Sequence, residues 1–119
     1  MKFDVHMLAF MGPDVVRTVE VGEDELKAAG STEAMLEMVY RNGQNDFQPQ
    51  PDRCSVSMGD VIRVPDGAPP YVRQGVWAPG LWEVSMFGFA MVTEAGLAAM
   101  KEVPGAHVRW AASAGVKKG

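Results

Sequence analysis

One cysteine and two histidines are all the chain carries of those residue types, and that scarcity closes several chemistries at once. Cys54 has no partner for an internal disulfide, and a lone thiol cannot build a cysteine-based metal site. His6 and His107 stand far apart, with no histidine or cysteine at i+3 or i+4, so each reads as a satisfied strand histidine and no metal is expected. Nucleophilic catalysis would need Cys54 or a serine activated by one of these histidines. Nothing local supplies that arrangement, and Arg53 beside Cys54 is a weak basis for a lowered thiol pKa. The glycine-rich segments lack the spacing and the lysine of a phosphate loop. Neither catalysis nor a cofactor is expected.

Long apolar runs are missing too. None approaches the roughly 20 residues that a membrane helix needs. Met1-Lys2-Phe3-Asp4 lacks the charged-then-apolar pattern of a signal peptide. The expectation is a cytoplasmic protein without membrane contact, and the single thiol suits a reducing compartment.

Basic residues are scarce in the first half. Residues 1–60 hold eleven acids and five bases, whereas 61–119 hold four acids and six bases, for a net charge of −4. A broad nucleic-acid surface needs clustered Lys and Arg, so direct binding to double-stranded DNA is not expected. The Lys117-Lys118 pair is too short to reverse that balance.

What is present describes one ordinary globular domain. A chain of 119 residues can bury roughly two-thirds of the surface its unfolded form exposes. Nine Met residues sit mostly in apolar periodic runs, as core filling or as adaptable binding surface. Lys2–Phe10 reads as a strand with Phe3, Val5, Met7 and Ala9 on one face. Met11-Gly12-Pro13-Asp14 turns the chain into a second strand, Val15–Val21. Gly22–Gly30 is acidic and bounded by glycines, either a loop or one helical turn. Ser31–Arg41 predicts a helix with Ser31 or Thr32 as cap, an apolar face of Met35, Leu36, Val39 and Tyr40, and Gly43 as a left-handed stop.

The polar loop Gln44–Pro51 follows, either a structured turn held by Asn45 and Asp46 or a ligand-contacting polar rim, with Phe47 expected to pin it to the core. Val61–Val64 is a strand preceded by the Met58-Gly59-Asp60 turn, where Gly59 is expected to bend the chain sharply or take positive φ. Tyr71–Trp77 is a candidate short strand. Leu81–Val92 reads as the last long strand with a bulge at Gly88, followed by a helix Glu94–Val103 that Pro104-Gly105 stops. His107–Ala111 is a candidate edge strand around Trp110. The domain is placed at 1–112 and a fraying tail at 113–119. The resulting expectation is an α+β fold, a mainly antiparallel sheet of about five strands with two helices covering one face. Leu36, Tyr40, Phe47, Val61 and Phe89 are expected to share one core.

The stretch Arg41–Val64 (RNGQNDFQPQPDRCSVSMGDVIRV) is the most distinctive, and Gln44, Asn45, Asp46, Phe47, Gly59 and Asp60 form its signature, with Gly88-Phe89 a second block. It resembles small uncharacterised proteins of conjugative plasmids, integrative elements and phages, in which a serine-rich SVSVGDV-type stretch precedes a strand ending in Gly-Phe. The resemblance covers about Val15–Val92. This chain departs at Cys54 and inserts Pro65–Gly80. The resemblance implies a mobile-element protein and carries no catalytic residue.

Two function classes follow. One is a non-enzymatic binding protein that docks on a host protein or ribonucleoprotein, in its sharpest form an anti-defence inhibitor of the anti-CRISPR type. Its candidate contacts are Glu23, Asp24, Glu25, Glu33, Glu37 and Trp77, with the acids steering a basic partner and the tryptophan supplying lasting affinity. The plainer reading of the acids is a solvated connection, and of Trp77 a core residue. The other class is an accessory protein binding a small ligand or RNA end on a PUA-like barrel.

Overall fold

The computed structural model describes residues 1–102. The Pro104-Gly105 stop, the His107–Ala111 strand and the 113–119 tail lie outside the described residues, and the last helix, expected to reach Val103, already ends at Met100 with Lys101 as its cap. The elements are β1 (Lys2–His6), β2 (Val16–Glu20), α1 (Glu23–Ala28), α2 (Thr32–Asn42), β3 (Val61–Val64), β4 (Gly80–Ser85), β5 (Gly88–Val92) and α3 (Glu94–Met100). The five strands form one open sheet in the order β2-β1-β3-β4-β5, and every neighbouring pair is antiparallel. This is the expected α+β fold. No described helix is long and apolar enough to cross a membrane.

Period-two alternation decides which side of the sheet each strand residue serves. Phe3 and Val5 of β1, Val19 of β2, Ile62 and Val64 of β3 and Val84 of β4 pack with Met35, Leu36 and Val39 of α2. Their neighbours one position away face the other side, where Val61, Leu81 and Leu8 meet Leu97 of α3. The helices therefore lie on both faces, a correction to the expected one-sided cover. Val61 consequently belongs to a different cluster from Leu36.

Several local expectations change for identifiable reasons. β1 stops at His6 because Met7–Gly12 closes a turn, with the N–H groups of Met11 and Gly12 both donating to the Met7 carbonyl. The acidic segment after Gly22 is a short helix whose Leu26 is buried. Ser31 caps α2 by accepting from the Ala34 N–H at 3.1 Å, as expected. Gly43, however, has φ −79°, so it is not a left-handed cap. It is glycine because a Cβ there would come within 2.4 Å of Val56 Cγ2. Tyr40 and Phe47 are exposed rather than core residues.

Tyr71–Trp77 forms turns, not a strand. Its groups are used elsewhere: the Val76 carbonyl accepts from Thr32 Oγ1 at 2.7 Å, and the Trp77 indole donates to the Pro65 carbonyl at 2.8 Å. Leu81–Val92 is a hairpin rather than one strand. Ser85 pairs with Gly88 across the two-residue turn Met86-Phe87, and Gly88, at φ 129°, closes that turn instead of making a bulge. The count of five strands holds, although this hairpin supplies the fifth.

Candidate functional site

Gly59 and Asp60 of the signature are scaffolding, and that scaffolding presents a surface. Asp60 is buried, and its carboxylate accepts from the Ser57 N–H and from the Ala9 N–H, both at 2.8 Å. Gly59, at φ 95°, turns the chain so that its N–H donates to the Val84 carbonyl at 2.8 Å. The Val84 N–H returns a bond to the Asp60 carbonyl at 2.9 Å. Three connections are thus fastened together where β1 ends, β3 begins and β4 ends.

That end of the sheet is apolar at its surface. Phe10, Met58, Met86 and Phe87 sit on these connections with 63%, 44%, 58% and 92% of their surface exposed. Phe87 is the extreme case. Ser85 Oγ accepts from the Phe87 N–H at 3.3 Å and donates to the Gly88 carbonyl at 3.0 Å, which holds the hairpin tip while the ring stands in solvent. Large exposed aromatics grouped with methionines mark interaction surfaces more often than isolated apolar side chains do.

Beside the hairpin runs an open groove of about 330 Å³ lined by Thr32, Glu33, Leu36, Trp82, Phe87 and Phe89. Gly88 lets the two walls approach, because a Cβ there would stand 3.2 Å from Glu33 Oε1. Leu36 is buried, whereas Glu33 is exposed along with Glu37 one turn further on.

At the opposite edge, the polar loop 44–54 seals β2. Arg17 is fully buried, and its guanidinium donates to Asn45 Oδ1, to the Cys54 carbonyl and to the Gln48 carbonyl. Burial lowers its pKa, and all three of these acceptors are neutral oxygens. Asn45 also accepts from the Gln50 N–H and donates to the Arg53 carbonyl. Arg17 and Asn45 therefore do the pinning that the sequence assigned to Phe47, and Asp46 makes none of these bonds. Phe47 instead lies 5.7 Å from the Arg41 guanidinium. Burial also pushes the Cys54 thiol up, away from the reactive thiolate.

Comparison with protein-family models, with curated proteins and with solved structures finds no match.

The acids named from sequence divide between two places. Glu25 is committed to the fold: it accepts from the Gly22 N–H, from Asn42 and from Arg41. Asn42 offsets the burial of that carboxyl, and its pKa falls. Glu23 pairs with Lys27 at 3.3 Å, and Asp24 is exposed beside it. Glu33 instead lines the groove, and Glu37 is exposed one turn further along α2. Trp77 is partly buried, tilted against Phe3 with ring centres 5.7 Å apart, which is the plainer reading of that residue.

Sequence reasoning missed Phe10, Met58, Met86, Phe87 and Met91 as surface residues. Aromatics and methionines inside an apolar run read as core; only the Ser85–Gly88 spacing around two residues hinted at a tip.

A polar cluster lies on the α3 side of the sheet. Arg63 forks onto Glu94 at 2.6 and 3.1 Å and donates from Nε to His6 Nε2 at 3.3 Å. Burial, then the charges of Arg63 and Lys101, lower the His6 pKa. Among the described residues no three His, Cys, Asp or Glu side chains are grouped as metal ligands.

Proposed function

We propose that this chain is a non-enzymatic binding protein that docks on another protein through the apolar end of its sheet and the adjoining groove. The observation that carries this reading is Phe87, 92% exposed at a hairpin tip whose backbone is held by Ser85. Burial of such an aromatic by a partner is the usual source of lasting affinity, while exposed acids mainly speed the encounter. The contact moves from Trp77, which packs against Phe3, to Phe87 and its neighbours. Glu33 and Glu37 remain the acids best placed to assist.

The resemblance of the 41–64 stretch to mobile-element proteins supports a host protein or ribonucleoprotein as the partner, and an anti-defence inhibitor as the specific role. The alternative, a small-ligand or RNA-end binder on a PUA-like barrel, has less support, because the five strands form an open sheet rather than a barrel. Affinity capture from a host carrying defence ribonucleoproteins tests the proposal. A stoichiometric partner that the Phe87→Ser variant fails to retain supports it. Turnover of a substrate by the purified chain refutes it.

A further inference from the structure

The two edges of the sheet are finished differently. On β2 the even-numbered residues face away from β1, since Met7 and Val21 donate across to Val15 and Met1. Four of those six outward groups are capped: Gln48 serves the N–H and carbonyl of Glu20, Gln50 donates to the Thr18 carbonyl, and Arg53 donates to the Val16 carbonyl. On β5 the outward positions are Phe89 and Met91. Val84 spends both backbone groups on Gly59 and Asp60, so its opposite residue Phe89 turns its own N–H and carbonyl away from β4. No described residue bonds to the outward groups of Phe89 or Met91. Gly88–Val92 also contains neither a charge nor a proline, the usual safeguards of an exposed edge.

Beside that open edge the groove combines Trp82, Phe87 and Phe89 with the Glu33 carboxylate. Glu33 forms no ion pair with any described residue. Aromatic faces and a carboxylate together recognise a cation. We propose that β5 accepts an extended strand of the partner protein, whose Lys or Arg side chain enters this groove toward Glu33; the inference rests on the docking reading above. The incoming backbone bonds to Phe89 and Met91. Alternation puts every second side chain on the α2 side, one cation beside Glu33 and an apolar neighbour over Met91, which is 68% exposed.

Random peptides displayed on phage and selected on the purified chain provide the test. Selected peptides are expected to carry Lys or Arg with apolar residues at alternate positions. Glu33→Gln should weaken them about three- to tenfold, as a part-exposed ion pair over aromatic rings does. Binding should slow amide exchange at Phe89 and Met91, and N-methylating alternate peptide positions should abolish it on the unaltered protein. Met91→Pro, which deletes an outward N–H, should do the same if it folds.

Four results overturn the inference: no selected peptides, peptides without a basic residue, binding indifferent to Glu33→Gln, or sedimentation showing β5 paired with a second copy. A captured host partner that needs Phe87 but ignores Glu33→Gln keeps the docking reading and overturns the strand. Peptides that meet every criterion while Phe87→Ser leaves capture unchanged do the reverse.

Discussion

Arg17 Nη1 donates to Asn45 Oδ1 at 2.7 Å across 28 positions of sequence, and this bond fixes the polar loop against the sheet. Arginine here acts as a neutral hydrogen-bond hub would, holding loop oxygens while its charge is stabilised by their dipoles. Arg17→Met keeps much of the volume but takes their donor from the part-buried carbonyls of Gln48 and Cys54 and leaves Asn45 Oδ1 with the Gln50 N–H alone. Each unsatisfied group costs about 1–3 kcal/mol, and partial relaxation should leave a net loss of about 3 kcal/mol in urea unfolding. Exchange of the Glu20 amide, which Gln48 caps, should accelerate in the same variant. A loss below about 1 kcal/mol would show that the loop holds without its anchor.

Gly43 tests a steric rather than a conformational requirement. Its φ suits any residue, so Gly43→Ala is opposed by packing alone: the new Cβ would stand 2.4 Å from Val56 Cγ2 and 3.1 Å from the Val39 carbonyl oxygen. Overpacking of that kind costs about 1–3 kcal/mol. Val56→Ala removes the offending methyl, so the double variant should be less destabilised than the sum of the two single changes. Strict additivity in denaturant melts would refute the contact.

His6 makes stability depend on pH in a defined direction. Its folded pKa lies below the unfolded value of about 6.5, so the unfolded chain binds the extra proton. The stabilisation is complete above that value and is lost as pH falls through the folded pKa. Protonation also removes the Nε2 lone pair that accepts from Arg63. Thermal melts should show stability falling below about pH 6.5, and less steeply in His6→Gln. His107 is present in both proteins and cancels from the comparison. Glu25 and Glu94, whose pKa values are lowered, act in a separate window below the usual carboxylate value. Equal slopes in the two proteins would assign the pH dependence elsewhere.

The sequence made the framework readable where one local rule governed it. Alternation identified the inward face of β1, Ser31 marked the start of α2, and the Met58-Gly59-Asp60 turn preceded the expected strand β3. It misled where tertiary contacts reassigned a residue. Phe47 looked like a loop anchor because phenylalanine is usually buried, yet a buried Arg17 fills that role through acceptors supplied by the loop itself. Gly43 looked like a left-handed cap, and the reason for glycine lies thirteen residues on, at Val56. Met86-Phe87 looked like strand interior because apolar turn residues carry no turn signature of their own. The candidate surface was hidden for that same reason.

The docking surface is tested most directly by comparing two exposed phenylalanines. Phe87→Ser and Phe47→Ser each remove a surface ring, but Phe87 is at the apolar sheet end and Phe47 lies on the loop beside β2. Phe87→Ser should change unfolding free energy by less than about 0.5 kcal/mol, since its ring packs on little. Quantitative capture of the host partner by the parent and both variants is the deciding measurement. Loss of a buried aromatic anchor corresponds to about 2 kcal/mol or more, so Phe87→Ser should bind at least about tenfold more weakly while Phe47→Ser binds like the parent. Equal retention by the parent and Phe87→Ser, with both proteins folded, would contradict the assignment of this surface.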